Sequence, residues 1–192
     1  MNSSCNFFHA DRFYLHTTSI IMPDFLLRQN YTNIFEIPKF EKITVHTTSN
    51  FYALERKNLL AVLVAFELLT GQKAKFTVAK KSHAPFKIRE KQILGCIVTL
   101  RKKKLYNFLN LLSSVIFPKL RDFRGISHPN SGEGCFGFSS LLVFPQLENH
   151  FDIFQNFHGI DLNFTSKKSL KTKTLSKSLF HAYQIPSKKE IQ

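Results

Sequence analysis

Two strand-like runs joined directly by a cationic segment constrain the fold of this chain more than any other feature. The runs are KFTVA (75–79) and QILGCIVTLR (92–101), and both carry the apolar and β-branched residues that strands prefer. The stretch between them, KKSHAPFKIREK (80–91), has five Lys and Arg residues and one acid, Glu90. The chain therefore has to hold a basic loop between two strands of its core.

The hydrophobic pattern elsewhere predicts strands and helices that do not alternate regularly. Further strands are predicted at EKITVH (41–46), CFGFSSLLVF (135–144) and GIDLNFT (159–165). Helices are predicted at 50–72, 104–117 and 166–183, with a short helix and turn at 25–38. This mixture predicts an α+β fold: a largely antiparallel sheet with helices packed on one face and a projecting basic loop.

The two central helices have distinct patterns. The helix at 50–72 can be capped by Ser49 or Asn50, ends at Gly71, and is apolar enough over several turns to be mostly buried. The helix at 104–117 is amphipathic, and Pro118 comes just after it. Its predicted buried stripe is Leu105, Phe108, Leu109, Leu112 and Ile116.

The chain is divided by these patterns into three parts. We predict an N-terminal extension over 1–23 that is partly loose, a single domain over 24–186, and a tail over 187–192. The C-terminal helix is expected to turn Leu175, Leu179 and Tyr183 inward.

Positive charge is concentrated rather than spread. The formal net charge is +14, and residues 71–121 carry thirteen Lys and Arg residues against one acid. A charge excess confined to one segment favours a polyanionic partner, nucleic acid before an anionic membrane surface, over a merely solvated face. Phe86 lies within the cationic run and can stack on a base, or it can fold back and anchor the loop.

Sequence signatures of other function classes are missing. The chain has no P-loop, no G-x-G-x-x-G, no G-x-S-x-G and no H-E-x-x-H, and its three cysteines lack disulfide or zinc spacing. Asp122 is expected to brace its loop between two arginines rather than to act as a catalytic acid. We therefore expect no enzymatic activity, no metal, no cofactor and no membrane association.

Several long motifs resemble the bacterial-type ribosomal protein L5 family. The segment GQKAKFTVAKKSHAPFKIREKQILGCIVTLR (71–101) is similar to the family signature, and FPKLRDFRGIS (117–127) is similar to its next hallmark. IPKFEKITV, VFPQL and GIDLNFTS follow the family order as well. The resemblance covers about residues 25–183 and implies a large-subunit protein that binds 5S rRNA and large-subunit rRNA in the central protuberance.

The resemblance also implies roles for individual residues. Contacts with 5S rRNA are implied for Lys42, His46, Gln72, Lys73, Thr99 and Arg101. A loop that approaches the P-site tRNA is implied for Lys80, Lys81, Ser82, Phe86, Lys87 and Arg89. Contact with a neighbouring protein, including one of the small-subunit head, is implied for Arg121, Asp122 and Arg124.

The sequence departs from the family pattern in several places, for example where TTS (47–49) replaces the usual glycines and where the N-terminus is longer. His46 stands where the family usually has Asn, and Glu133 replaces a usually basic residue. These departures, a bias toward Phe, Lys and Asn, and an N-terminus without the layout of a targeting signal indicate an organelle-encoded mitochondrial member, with plastid or bacterial cytoplasm as alternatives. Two other hypotheses remain: a free RNA-binding regulator with the same fold, and an enzyme acting on RNA.

Overall fold

The computed structural model describes residues 13–29, 31, 33–49, 51–52, 56–121, 123–126, 133–154, 159–166 and 173–187. The strands are β1 (Phe40–Thr48), β2 (Lys75–Val78), β3 (Ile93–Leu100), β4 (Glu133–Phe138) and β5 (Ile160–Ser166). The α-helices are α1 (Met22–Arg28), α2 (Arg56–Thr70), α3 (Lys102–Leu111), α4 (Phe117–Lys119), α5 (Pro145–Glu148), α6 (Phe151–Phe154) and α7 (Lys173–Ala182). Single π-helical stretches, Thr17–Ile21 and Leu112–Ile116, precede α1 and α4.

The strands form one five-stranded antiparallel sheet in the order β2-β3-β1-β5-β4, and helices pack against it. The pairing of β2 with β3 places Lys75 opposite Ile97 and Phe76 opposite Cys96. This architecture confirms the predicted α+β class. Strand β5 alternates buried and accessible residues along its length, and β1 does so from Ile43 onward, as a one-sided sheet requires.

The chain divides into two compact units. The middle unit comprises residues 44–99 and 137–162, and the terminal unit comprises 1–43, 100–136 and 163–192. In the middle unit, α2 packs against α5 and α6 and buries Val62, Phe66 and Leu69. The core of this unit also includes Val45, Tyr52, Cys96, Val98, Phe144 and Leu147.

The terminal unit is built around aromatic rings. The Phe40 ring on β1 lies 5.0 Å from that of Phe180 and 4.9 Å from that of Tyr183, measured between centroids. The Phe13 ring lies 6.4 Å from the Tyr183 ring, so the helical residues before α1 also pack on this cluster. The domain boundary at residue 23 stays a prediction.

The buried stripe predicted for the 104–117 segment is confirmed, because all five of its residues are buried along α3 and the π-helical stretch that follows. The prediction that this helix ends before Pro118 was wrong. The proline falls inside the last helical turn, Phe117–Lys119, near its N-terminal end, where a missing N–H is tolerated.

Two other predictions need correction. Helix α2 is not mostly buried all round, since Leu60, Val64 and Leu68 are exposed on one stripe. The strand predicted at 135–144 begins earlier, at Glu133, and ends at Phe138. Ser140 then caps a 3-10 turn over Leu141–Val143, its hydroxyl accepting the Leu142 N–H at 3.3 Å, and a local cap of this kind ends strand pairing.

Candidate nucleic-acid interface

The basic loop over 80–91 is a structured hairpin. Its base is closed by two backbone hydrogen bonds, from Ala79 N–H to Gln92 O at 2.9 Å and from Lys91 N–H to Ala79 O at 3.0 Å. Nearer the tip, His83 and Ile88 exchange bonds of 2.9 and 3.1 Å. The loop is therefore an ordered extension of the β2–β3 hairpin that holds its own shape.

The tip of this hairpin is a tight turn with unusual backbone geometry. The Lys87 N–H donates to Ala84 O at 3.0 Å, and Lys87 itself has φ +55°. Lys91 at the base has φ +63°, also in the left-handed region that glycine normally occupies. The side chain of Gln92 braces the turn by accepting the Arg89 N–H at 2.9 Å.

The side chains of the hairpin point into solvent. Every predicted loop residue is exposed, a set comprising Lys80, Lys81, Ser82, Phe86, Lys87 and Arg89. Phe86 is 63% exposed, so it does not fold back to anchor the loop. An exposed ring among cations has the composition of a single-stranded or looped RNA contact, where rings stack on bases and cations meet phosphates.

The turn between α2 and β2 fixes Gln72 and Lys73. Gly71 has φ +59°, and its N–H donates to Glu67 O at 2.8 Å, so it ends the helix as predicted. The Gln72 N–H then donates to Thr70 Oγ1 at 3.3 Å. Gln72 is half-buried and Lys73 is exposed where the chain enters β2.

In the middle unit, polar residues lie on the sheet face opposite the core, which we call the open face. On β3, Cys96 and Val98 are buried while Thr99 is exposed. On β1, Val45 is buried while the next residue, His46, is only half-buried. This alternation leaves polar side chains accessible on the face opposite the core, and the predicted RNA-binding residues His46 and Thr99 lie there.

His46 meets a carboxylate on the open face. Its Nε2 lies 3.7 Å from Asp161 Oδ2 on the neighbouring strand β5. Its Nδ1 is shielded from solvent and has no hydrogen-bond partner among the described residues. Asp161 was not among the predicted site residues. The sequence could have indicated it only as an acidic residue at an outward position of a predicted strand.

In the terminal unit, the predicted RNA-binding residue Arg101 is held by an acid. Its Nη1 donates to Glu41 Oε1 at 3.0 Å, and both side chains are about half exposed. Lys42, next to Glu41 on β1, is half-buried. Sequence inspection missed Glu41, because nothing local connects residues sixty positions apart.

The segment predicted to meet a protein is anchored by a ring cluster. Phe123 stacks on Phe117 with centroids 4.5 Å apart and meets Phe136 edge-on at 5.1 Å. Arg121 and Arg124, on either side of this anchor, are exposed. Asp122 lies outside the described residues, so its bracing of the loop stays a prediction.

The described part of the chain has neither a membrane-spanning helix nor a cluster of metal ligands. None of the described helices has the length and apolar character needed to cross a bilayer. Within the same described ranges, no three His, Cys, Asp or Glu side chains come together as a metal site would require.

Comparison with known proteins decides the family. A model of ribosomal protein L5 matches residues 33–89, and a model of the C-terminus of the same ribosomal family matches residues 93–187. The chain is 38% identical to the mitochondrial large ribosomal subunit protein uL5m of Reclinomonas americana, over 93% of this chain and 99% of that protein. The chain belongs to the ribosomal protein L5 family.

Other members of the L5 family are similarly close. Identity is 35% to uL5m of Prototheca wickerhamii, over 88% of this chain and 80% of that protein. It is 34% to the large ribosomal subunit protein uL5 of the bacterium Nitrosomonas eutropha, over 92% and 98%. The L5 family consists of structural, non-enzymatic proteins, which confirms that the chain is not an enzyme and removes the hypothesis of an RNA-processing activity.

Proposed function

We propose that this chain is a structural component of the large subunit of a mitochondrial ribosome and binds 5S rRNA through its open sheet face. Membership of the L5 family supports the ribosomal role, and the two uL5m relatives support the mitochondrial location. Encoding of the chain within the organelle stays a prediction.

We propose that 5S rRNA contacts one group of residues in each unit. In the middle unit these are His46, Gln72, Lys73 and Thr99, and in the terminal unit they are Lys42 and Arg101. The exposed Lys73 and Arg101 supply charge for phosphates, and Gln72 and Thr99 supply hydrogen bonds to sugar or base edges.

The observation that carries the functional proposal is the pre-formed basic hairpin. Its cations are exposed, its tip ring is exposed, and its shape is fixed by backbone bonds of its own. We propose that this hairpin contacts an RNA different from the 5S rRNA on the open face, and that this second RNA is the P-site tRNA. Arg121, Asp122 and Arg124 are assigned to contact with a small-subunit head protein.

Two variants test the separation of arm and sheet face. The first replaces Lys81, Lys87 and Arg89 by Gln, and the second replaces Gln72 and Arg101 by Ala. We expect the first to keep 5S rRNA affinity within about twofold while impairing P-site tRNA binding to assembled subunits. We expect the second to lower 5S rRNA affinity by roughly tenfold, about the energy of one charged contact with a hydrogen bond.

The measurements are 5S rRNA titrations at fixed salt and tRNA binding to gradient-purified subunits. Loss of 5S rRNA binding in the loop variant would mean that the hairpin is part of the same interface. Co-sedimentation of the unmodified chain with the large subunit at moderate salt tests the ribosomal role itself. A chain found only in light fractions would instead be a free RNA-binding protein.

A further inference from the structure

An acid lies on the open face of the middle unit, among residues proposed to bind RNA. The side chain of Asp161 on β5 is 63% exposed, and that of its neighbour His46 on β1 is 28% exposed. Asp161 Oδ2 lies 3.7 Å from His46 Nε2, and this contact favours one orientation of the carboxylate. Because a carboxylate and a phosphate repel each other, Asp161 either meets a different group of the RNA or serves only to brace His46.

A glycine keeps the second oxygen of this carboxylate open. Gly137 lies on β4, the strand next to β5, and is exposed. Its φ is not positive, so its backbone conformation does not require glycine. A Cβ at this position would lie 3.0 Å from Asp161 Oδ1, closer than side-chain carbons normally approach. The missing side chain therefore leaves Oδ1 accessible, which a carboxylate that only braced His46 would not need.

The RNA group that fits an exposed carboxylate is a hydrogen-bond donor. A carboxylate offers acceptors on two oxygens and no donor, so it pairs with N–H or O–H groups. Among the four bases, guanine alone presents two neighbouring N–H donors, at N1 and at the N2 amino group, that can meet both oxygens of one carboxylate. Unpaired bases in RNA loops are recognised through this Watson–Crick edge. A ribose 2′-hydroxyl has a single donor and would leave one oxygen without a partner.

We propose that Asp161 is a specificity-determining residue that accepts two hydrogen bonds from the Watson–Crick edge of an unpaired guanine in 5S rRNA. His46 orients the carboxylate from the side of Oδ2, and Gly137 leaves Oδ1 open to the base. The inference rests on the 5S rRNA binding proposed above and adds base recognition to it. Phosphate contacts from Lys73 hold RNA without reading its sequence, so the carboxylate supplies a selectivity that cations do not.

The variant Asp161→Asn tests the proposal because the two explanations predict effects of opposite sign. Removing an acid that only repels phosphates should tighten 5S rRNA binding. Removing an acceptor of base N–H groups should weaken binding by about tenfold, because the amide N–H₂ meets a donor. The full chain is titrated with labelled 5S rRNA at several salt concentrations. The slope of log affinity against log salt should not change, since no phosphate contact is lost.

Inosine substitution in the RNA identifies the contacted base. The 5S rRNA is transcribed with a low level of inosine phosphorothioate in place of guanosine, and positions depleted from the bound fraction are located by iodine cleavage. Inosine lacks the N2 amino group. We therefore expect an unpaired guanine at which inosine interferes with binding to the unmodified chain but not with binding to Asp161→Asn. The matched control Asp152→Asn removes an exposed acid on α6 of the same unit and should leave affinity within about twofold.

Gly137→Ala tests the same contact without changing any charge. It should weaken binding in the unmodified chain and have little further effect in the Asp161→Asn background, which a double-mutant cycle measures. Thermal unfolding confirms that each variant is folded.

The outcomes separate this inference from the proposed function. Tighter or unchanged binding by Asp161→Asn overturns the guanine contact and leaves 5S rRNA binding intact. Weaker binding without an inosine position that depends on Asp161 overturns it as well, because the carboxylate then meets another group. If the unmodified chain does not bind 5S rRNA, the proposed function fails and the inference fails with it.

Discussion

Replacement of Glu41 by Gln is expected to tighten 5S rRNA binding. The Glu41 carboxylate accepts a bond from Arg101 Nη1 at 3.0 Å in the unbound chain. If Arg101 contacts a phosphate, that phosphate has to displace the carboxylate or share the guanidinium with it. Removing the negative charge leaves a neutral acceptor of the same shape, so Arg101 becomes available at a lower cost.

The size of the gain follows from the exposure of the pair. Both side chains are about half exposed, and ion pairs of this kind are worth about 0.2–1 kcal/mol. Releasing that energy predicts a gain in affinity of about 1.4- to 5-fold. Because Arg101 is proposed to neutralise one phosphate, Arg101→Gln should also reduce the slope of log affinity against log salt by about 0.9.

The assay is fluorescence titration of labelled 5S rRNA at four salt concentrations, with the unmodified chain and the variants Glu41→Gln, Arg101→Gln and the double variant. If competition is the mechanism, Glu41→Gln should help less in the Arg101→Gln background, which a double-mutant cycle measures directly. Glu36→Gln removes another exposed carboxylate of the terminal unit and is the control for charge alone. Weaker binding by Glu41→Gln would refute competition and show that the carboxylate positions Arg101 for RNA.

Other outcomes test the architecture beneath the interface. A Cβ on Gly95 would lie 1.9 Å from the Thr47 carbonyl oxygen, whereas a Cβ on Gly71 would contact nothing within 4 Å. The Gly71→Ala variant therefore loses only about 1 kcal/mol of stability through left-handed backbone strain. The Gly95→Ala variant should lower the thermal midpoint by several degrees more. Equal midpoints in thermal unfolding would refute this assignment. Burial raises the pKa of Cys96 to about 11, so only about one thiol in a thousand is ionised at pH 8. We therefore expect Cys96 to resist alkylation in the native chain while the exposed Cys135 reacts. Peptide mass spectrometry before and after denaturation measures both, and rapid native labelling of Cys96 would contradict the burial.

The sequence predicted those parts of the fold that local pattern controls. The strands at 41–46 and 75–79 and the stripe on α3 follow from period-2 and period-3.6 spacing, and the structure confirms them. Burial of α2 was misjudged because apolar content does not reveal which stripe a neighbour covers. Residues such as Leu60 remain outside the contact with α5 and α6, and that contact depends on tertiary packing.

The same distinction applies to the candidate interface. The cationic hairpin was visible because its charges and its flanking strands are contiguous in sequence. The partners of Arg101 and His46 were invisible because Glu41 and Asp161 reach them only through the fold. Local patterns thus locate the basic hairpin, but the acids that contact Arg101 and His46 on the sheet are found only in three dimensions.

The arrangement of acids and cations fits the proposed binding of two RNAs with different strength. On the sheet, each of two candidate RNA-binding side chains, Arg101 and His46, already has a carboxylate within 4 Å. Along the hairpin, Lys81, Lys87 and Arg89 are exposed, and the one acid of the loop is Glu90. In this proposal, the carboxylate contacts orient the side chains on the sheet and favour a partner that can replace those contacts, as a permanently bound RNA would. An arm of solvated cations forms weak, salt-sensitive contacts that break readily, as a tRNA that leaves after each cycle requires.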